Sequence, residues 1–157
     1  MSEIKLDFKF DSSAIQAQFE KLAIAGQGRN ITRKIAGVLE QESEKAFDNE
    51  QSPEGEKWPA LNPKWKALRH RGGFKYKGSF QKQGYTGPML QMSGELVTSL
   101  STDYNDTQAW IGAQEPYGAF HQEGTSRMPA RPFIGIGERG LAEIKYILER
   151  ELKKIFG

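Results

Sequence analysis

The sequence offers few side chains capable of catalysis. It has 157 residues with two histidines, His70 and His121, and no cysteine. Without cysteine there are no disulfides, iron–sulfur clusters, thiolate zinc sites or thiol nucleophiles. His121 and Glu123 alternate instead of sharing a helix face, and no H-E-x-x-H spacing is present, so no metal site is expected. A Ser/His/acid hydrolase centred on His121 needs a nucleophile elbow, yet Ser93-Gly94 lacks the preceding glycine of G-x-S-x-G. Glu54, Glu56, Asp103, Asp106, Glu115 and Glu123 are scattered acids with no spacing that singles out a catalytic pair. Gly135-Ile136-Gly137-Glu138-Arg139-Gly140 has the form G-x-G-x-x-G. A dinucleotide site needs a further strand and an acid about 20 residues on. Only 17 residues follow Gly140, so these glycines are read as a turn leading into a helix. Neither catalysis nor a cofactor is expected.

Charge gives a different lead. The net charge is +2, but residues 51–90 hold eight basic and two acidic residues. The flanking portions, 1–50 and 91–157, each carry seven basic and nine acidic residues. From position 64 to 82 the cations are Lys64, Lys66, Arg69, Arg71, Lys75, Lys77 and Lys82, with no acid among them. Trp65, Phe74, Tyr76, Phe80 and Tyr85 are interleaved, and glycines at 72, 73, 78, 84 and 87 interrupt helical continuation. This reads as a long basic Gly/aromatic loop over about 64–87. Three roles stay open for it: a solvated loop pinned by its aromatics, a nucleic-acid contact by charge and stacking, and a protein–protein contact.

The elements that must hold these residues are legible from periodicity. Ile4, Leu6, Phe8 and Phe10 alternate with polar residues as in a half-buried strand. Ser13 and Gln16 fit a capping box for a first helix carrying Ile15, Phe19 and Leu22. Asn30 or Thr32 can cap a second helix of roughly 18 residues, with Ile31, Ile35, Val38, Leu39, Glu42, Ala46 and Phe47 on one stripe and Lys34, Glu40, Glu44 and Lys45 facing solvent. A connection with two prolines covers 50–62, and Pro63 starts a short helix to 70. Ser93 can cap another short helix. Residues 101–113 predict a hairpin turning at Asn105-Asp106. Phe133–Ile136 reads as a short strand, and Leu141, Ile144, Leu148, Leu152 and Ile155 mark a closing helix. The length suits one domain spanning 1–157. The expected fold is α+β: a small antiparallel sheet or meander packed against two or three helices, with the long basic loop. No apolar run approaches the roughly 18 residues of a membrane span, and Met1–Lys5 lacks a signal-peptide layout. No membrane contact is expected.

Three stretches together carry a family resemblance. They are Gly55-Glu56-Lys57-Trp58-Pro59-Ala60-Leu61, then Met89 to Leu100 with Leu90-Gln91-Met92-Ser93-Gly94-Glu95-Leu96, then Ile111 to Gly135 with Tyr117-Gly118-Ala119-Phe120-His121-Gln122-Glu123-Gly124 and Pro129-Ala130-Arg131-Pro132-Phe133. In order and spacing they resemble the phage virion morphogenesis family, the tail completion proteins of Mu-like and P2-like phages, over about residues 11–156. The resemblance implies a structural protein. Such proteins act where the tail meets the head, stopping tube growth and allowing head joining, and related neck and terminator proteins form rings, commonly hexameric, around the path of DNA. It implies as partners further copies of the chain, tail tube and head connector proteins, and passing DNA. The expected location is the head–tail junction of the virion, after assembly in the bacterial cytoplasm. The insert at about 71–87 departs from shorter members.

Several of these residues also have plain physical roles. Gly55 permits a tight bend before Trp58, which can plug a core edge. Tyr117, His121 and Gln122 put polar tips on an apolar element, as in a buried hydrogen-bonded cluster. Pro129 and Pro132 aim Arg131, next to Phe133, at an acid either inside the subunit or across a subunit boundary. Trp58, Tyr117, His121, Gln122, Arg131 and Phe133 are the interface candidates. A compact chain of this length has a radius of gyration of roughly 15 Å, and six such bodies in a ring leave a hole about as wide as one of them.

Overall fold

The structure is a computed structural model describing residues 4–7, 13–76, 78–87, 89–91, 94–115 and 117–157. Phe8, Phe10, Lys77 and Ser93, each given a place by the sequence reading, lie outside these residues. Among the described residues the order is β1 (Ile4–Asp7), α1 (Ser13–Ile24), α2 (Gly28–Asn49), α3 (Pro63–Arg71), β2 (Phe74–Tyr76), β3 (Ser79–Gln81), α4 (Glu95–Thr98), β4 (Leu100–Tyr104), β5 (Ala109–Ala113), α5 (Gly118–Glu123) and α6 (Glu138–Phe156). The expected α+β class is the observed one. A three-stranded antiparallel sheet, ordered β1-β5-β4, packs on helices, and β2-β3 form a separate two-stranded ribbon.

Strand β5 is central because it buries most of its length, with Ile111 and Ala113 almost fully enclosed. Leu6 on one side and Thr102 on the other stand opposite Ile111 in register. The predicted hairpin is β4–β5. Its turn is built by Asn105, whose side-chain oxygen accepts from the backbone N–H groups of Thr107 (2.9 Å) and Gln108 (2.8 Å), the local bonding that favours Asn in turns.

Helix α2 is the spine of the core and packs against α1, α6, β4 and β5. The predicted stripe is buried as read: Ile31, Ile35, Val38, Leu39, Glu42, Ala46 and Phe47 all face inward. The start differs from the expectation, since the helix begins at Gly28 rather than after Asn30 or Thr32. A Cβ on Gly28 would sit 2.3 Å from the Asp106 carbonyl oxygen, so only glycine lets the first turn rest on the β4–β5 turn. Thr32, one turn inside, donates its hydroxyl to the carbonyls of Arg29 and Asn105 and ties helix to hairpin. Lys34 is not simply a solvent-facing residue either. It donates to Glu151 of α6, a buried carboxylate that also meets Lys154 at 3.5 Å. The hydrogen bond from Lys34 chiefly, with the charges of Lys34 and Lys154, holds the Glu151 carboxyl below its usual range against the opposing effect of burial.

The expected strand at Phe133–Ile136 is not one. Residues 131–137 form an irregular buried strip before α6, and β1 takes the third place in the sheet. Two local facts explain this. Pro132 has no N–H to give a ladder, and Gly137 lies so close to the 53–54 turn that a Cβ would come within 2.2 Å of the Pro53 oxygen. The G-x-G-x-x-G glycines thus serve close packing and lead into α6: Gly135 abuts Glu54, and Gly140 lies against Glu42. Among the described residues no helix is long and apolar enough to cross a membrane.

Candidate functional site

The residues singled out by the sequence fall into two groups, a buried knot and an exposed arm. In the knot, Trp58, Gln122, Arg131 and Phe133 converge although they lie up to 75 positions apart. Gly55, at φ 98°, makes the bend that brings Trp58 inward. The indole meets Phe47 edge-on at 5.8 Å, and Phe47 meets Phe133 at 5.2 Å. Trp58 Nε1 donates to the Pro132 carbonyl at 2.8 Å, the polar partner that a buried indole requires.

Gln122 supplies what the missing strand lacks. Its Oε1 accepts from the backbone N–H groups of Phe133 and Ile134, each at 3.0 Å, and its Nε2 donates to the Ile134 carbonyl at 3.0 Å. One amide side chain thereby stands in for a paired strand. The Arg131 N–H donates to the His121 carbonyl at 2.6 Å and extends the same zipper. Tyr117 packs edge-on to His121 at 5.7 Å, and its hydroxyl donates to Glu95 of α4 at 3.3 Å.

Within the chain Arg131 meets no acid among the described residues. It is buried, and its Nε and Nη2 donate to the carbonyls of Pro59 and Ala60, each at 2.9 Å, rather than to an acid. Burial pulls its pKa down. The planar fork suits two adjacent carbonyls, and it clamps the chain just before α3. Sequence reasoning placed Arg131 correctly as aimed but missed its target, since carbonyls at a proline-rich bend leave no mark in composition.

The arm is α3, the short helix expected from Pro63, with the β2–β3 ribbon, which occupies part of the loop expected from the glycines. Asn62 caps α3 by accepting from Lys64 N–H at 2.9 Å, Pro63 fills the first turn, and Arg69, His70 and Arg71 sit at the negative end of the dipole. The glycines shape the arm instead of loosening it. Gly72 (φ 77°) ends the helix, and Gly78 (φ 80°) lies in the short link between β2 and β3. Trp65 packs on Phe74 at 5.4 Å and Tyr76 at 5.8 Å, giving the arm its own aromatic centre. Arg69 belongs to that framework. It is buried, donates to the Gly87 carbonyl at 3.0 Å and lies 4.8 Å from the centre of the Tyr85 ring. Burial raises the Tyr85 pKa, the nearby Arg69 charge opposes this, and Glu50 adds to it. Gly84 passes so close to α3 that a Cβ would lie 1.7 Å from the His70 carbonyl oxygen.

Lys64, Lys66, Arg71, Lys75 and Lys82 remain exposed, and none forms an ion pair among the described residues. In the ribbon Lys75 stands directly opposite Phe80. Lys75 is exposed and Phe80 is 63% exposed, while Phe74 and Tyr76 turn to Trp65. The sequence reading missed this sidedness because the strands are only three residues long.

Between arm and knot lies a cavity of about 220 Å³, lined by Trp65, Arg69 and Tyr76 from the arm and by Tyr117, His121 and Arg131 from the body. Among the described residues lining it there is no Asp or Glu. Among the described residues no group of three His, Asp or Glu is placed to hold a metal ion.

Comparison with known proteins agrees with the motif pattern. Residues 10–153 match the phage virion morphogenesis family. The chain is 51% identical to the Mu-like prophage FluMu G protein 1 of Haemophilus influenzae over 152 residues, covering 96% of this chain and 97% of that one. It is 30% identical over 150 residues to protein G of Escherichia phage Mu, whose name links it to capsid assembly, with 90% of each chain covered. A second Haemophilus influenzae prophage protein, FluMu G protein 2, is 28% identical over 152 residues, covering 92% and 91%. No solved structure matches. With the family matched over nearly the whole chain and the motif residues gathered into one buried knot, this protein belongs to the phage virion morphogenesis family and has a structural role in phage assembly.

Proposed function

We propose that the chain is a tail completion protein that assembles as a ring at the head–tail junction of the virion, ends growth of the tail tube and presents a face for head joining. It acts by binding, not by catalysis. The observation that carries this reading is the whole-chain likeness to Mu-like G proteins, 51% and 30% identical over at least 90% of each chain. The exposed cations of the arm, which no acid of the described residues neutralises, support a role in contacting other macromolecules.

The test is deletion of the gene from an inducible phage, with particles viewed by electron microscopy and rescue by the intact gene. The expected result is normal filled heads accompanied by separate tails of irregular length. Malformed heads would move the role to the capsid, and joined particles of normal shape would overturn it altogether. The row Lys64, Lys66, Arg71, Lys75 and Lys82 favours one second reading, direct contact with nucleic acid by the arm. A gel-shift series in rising salt tests it, and no shift of duplex DNA even at low salt removes it.

A further inference from the structure

The outer face of the ribbon and one face of α2 carry opposite charge. Glu40, Glu44 and Asp48 recur every four residues along α2 and line a groove of about 460 Å³ with Val97, Thr98 and Leu100. Glu44 and Asp48 are exposed, Glu40 is half-buried, and none of the three accepts a hydrogen bond or ion pair among the described residues. The arm offers the opposite charge: exposed Phe80 of β3 has exposed Lys75 directly across the ribbon, and exposed Lys82 follows just past the end of β3. Carboxylates four apart on a helix are separated by about 6 Å along its axis, so the three form one acidic row. No hydrogen bond, ion pair or ring contact joins the arm cations to these carboxylates within the chain, among the described residues.

We propose that the Lys75/Phe80/Lys82 face of one copy docks into the Glu40/Glu44/Asp48 groove of a second copy, with Phe80 on the apolar floor of Val97 and Leu100. This rests on the ring reading above and assigns it a contact. Because the two surfaces differ, the contact is heterologous, and each added copy leaves one free arm and one free groove until the ring closes. The exposed phenyl ring contributes apolar area that exposed ion pairs alone would lack, while the flanking charges fix register and exclude wrong partners.

Charge reversal tests the pairing without touching either core. One variant carries Lys75→Glu with Lys82→Glu, and the other carries Glu44→Lys with Asp48→Lys. Each repels its own kind, yet in a mixture every arm meets a groove of opposite sign. Native mass spectrometry and sedimentation velocity over a concentration series read the outcome, with circular dichroism confirming that both variants fold. Expected are an oligomer for the unmodified chain, at least a tenfold weaker association for each variant alone, and alternating oligomers with equal numbers of the two in the mixture. The proposal is overturned if the unmodified chain stays monomeric throughout, if either variant assembles like it, or if the mixture fails to assemble. An arm variant that still assembles but no longer shifts DNA overturns it in favour of nucleic acid. If oligomers form but ignore charge reversal, the contact is wrong and the ring reading stands. If deletion of the gene leaves normal particles, the ring reading itself fails.

Discussion

Replacing Gln122 by Ala removes the side chain that, among the described residues, satisfies the 133–134 backbone. Two N–H donors and one carbonyl, all at 3.0 Å from the amide, lose their partners together. Phe133 and Ile134 are 0% and 2% exposed, so water does not reach these groups unless the strip shifts. At about 1 kcal/mol net for each hydrogen bond the loss is about 3 kcal/mol, rising to about 6 kcal/mol if all three groups stay dry. A domain of this size has about 5–15 kcal/mol of stability in all, so the lower figure alone shifts Tm by about 6–12 °C.

Gln122→Glu is the informative control. A carboxylate keeps both acceptor contacts but has no N–H for the Ile134 carbonyl, which it faces with negative charge. It should fall between the wild type and Gln122→Ala. Urea unfolding followed by tryptophan fluorescence and circular dichroism gives both midpoints. A Gln122→Ala protein within about 0.5 kcal/mol of wild type, the range of ordinary surface changes, would refute the view that this amide replaces a strand.

Four further changes separate body from arm. Trp65→Ala removes the ring contacts to Phe74 and Tyr76, each pair contributing about 0.5–1.5 kcal/mol; hydrogen exchange should show lost protection over 74–81 with little change in the β4–β5 amides. Gly84→Ala places a methyl against the His70 carbonyl, so limited trypsin digestion should cut the arm faster while the unfolding midpoint of the body holds. Gly137→Ala meets the Pro53 carbonyl at the base of α6 instead and should lower the Tm of the whole chain. Glu151 has a depressed pKa in the folded state, so its contribution is complete above the ordinary value of about 4.3 and is lost as pH falls through the folded one. The stability gap between wild type and Glu151→Gln, measured by urea at pH 7 and again in acid, should therefore narrow at low pH.

What the sequence made legible follows from the range of the forces involved. The stripe of α2, the β4–β5 hairpin and the α6 pattern are local periodicities, and each appears where the spacing put it. The start of α2 was missed because it is set by the β4–β5 turn, through the Asp106 carbonyl that Gly28 must clear. Phe133–Ile136 was misread because an apolar run with β-branched residues looks like a strand whether its backbone partner is another strand or a glutamine 11 positions earlier. Helix α3 begins at Pro63 as expected, but the ribbon was missed for the opposite reason. Its glycines resemble a flexible loop in composition, yet Gly72, Gly78 and Gly84 are the points where the chain must turn or pass close to itself. Interleaved aromatics were the available signal, since Trp65, Phe74 and Tyr76 form a centre that a purely solvated loop has no need of.

The motifs that identify the family and the surfaces proposed for assembly are different parts of the molecule. Trp58, Gln122, Arg131 and Phe133 direct their polar and aromatic groups inward, onto Pro132, the 133–134 backbone, Pro59, Ala60 and Phe47. They specify how the chain folds and where the arm is rooted, because Arg131 clamps the residues that lead into α3. These groups are engaged within the chain, whereas Lys75, Phe80 and Lys82 are exposed and their side chains form no hydrogen bond or ion pair among the described residues. The two sets should therefore separate by experiment. Substitutions in the knot lower stability and, through it, assembly; charge reversal on the ribbon leaves the urea midpoint in place and changes assembly alone. If reversing Lys75 and Lys82 moved the midpoint by more than about 0.5 kcal/mol, the ribbon's outer face would belong to the folded core and not to a partner.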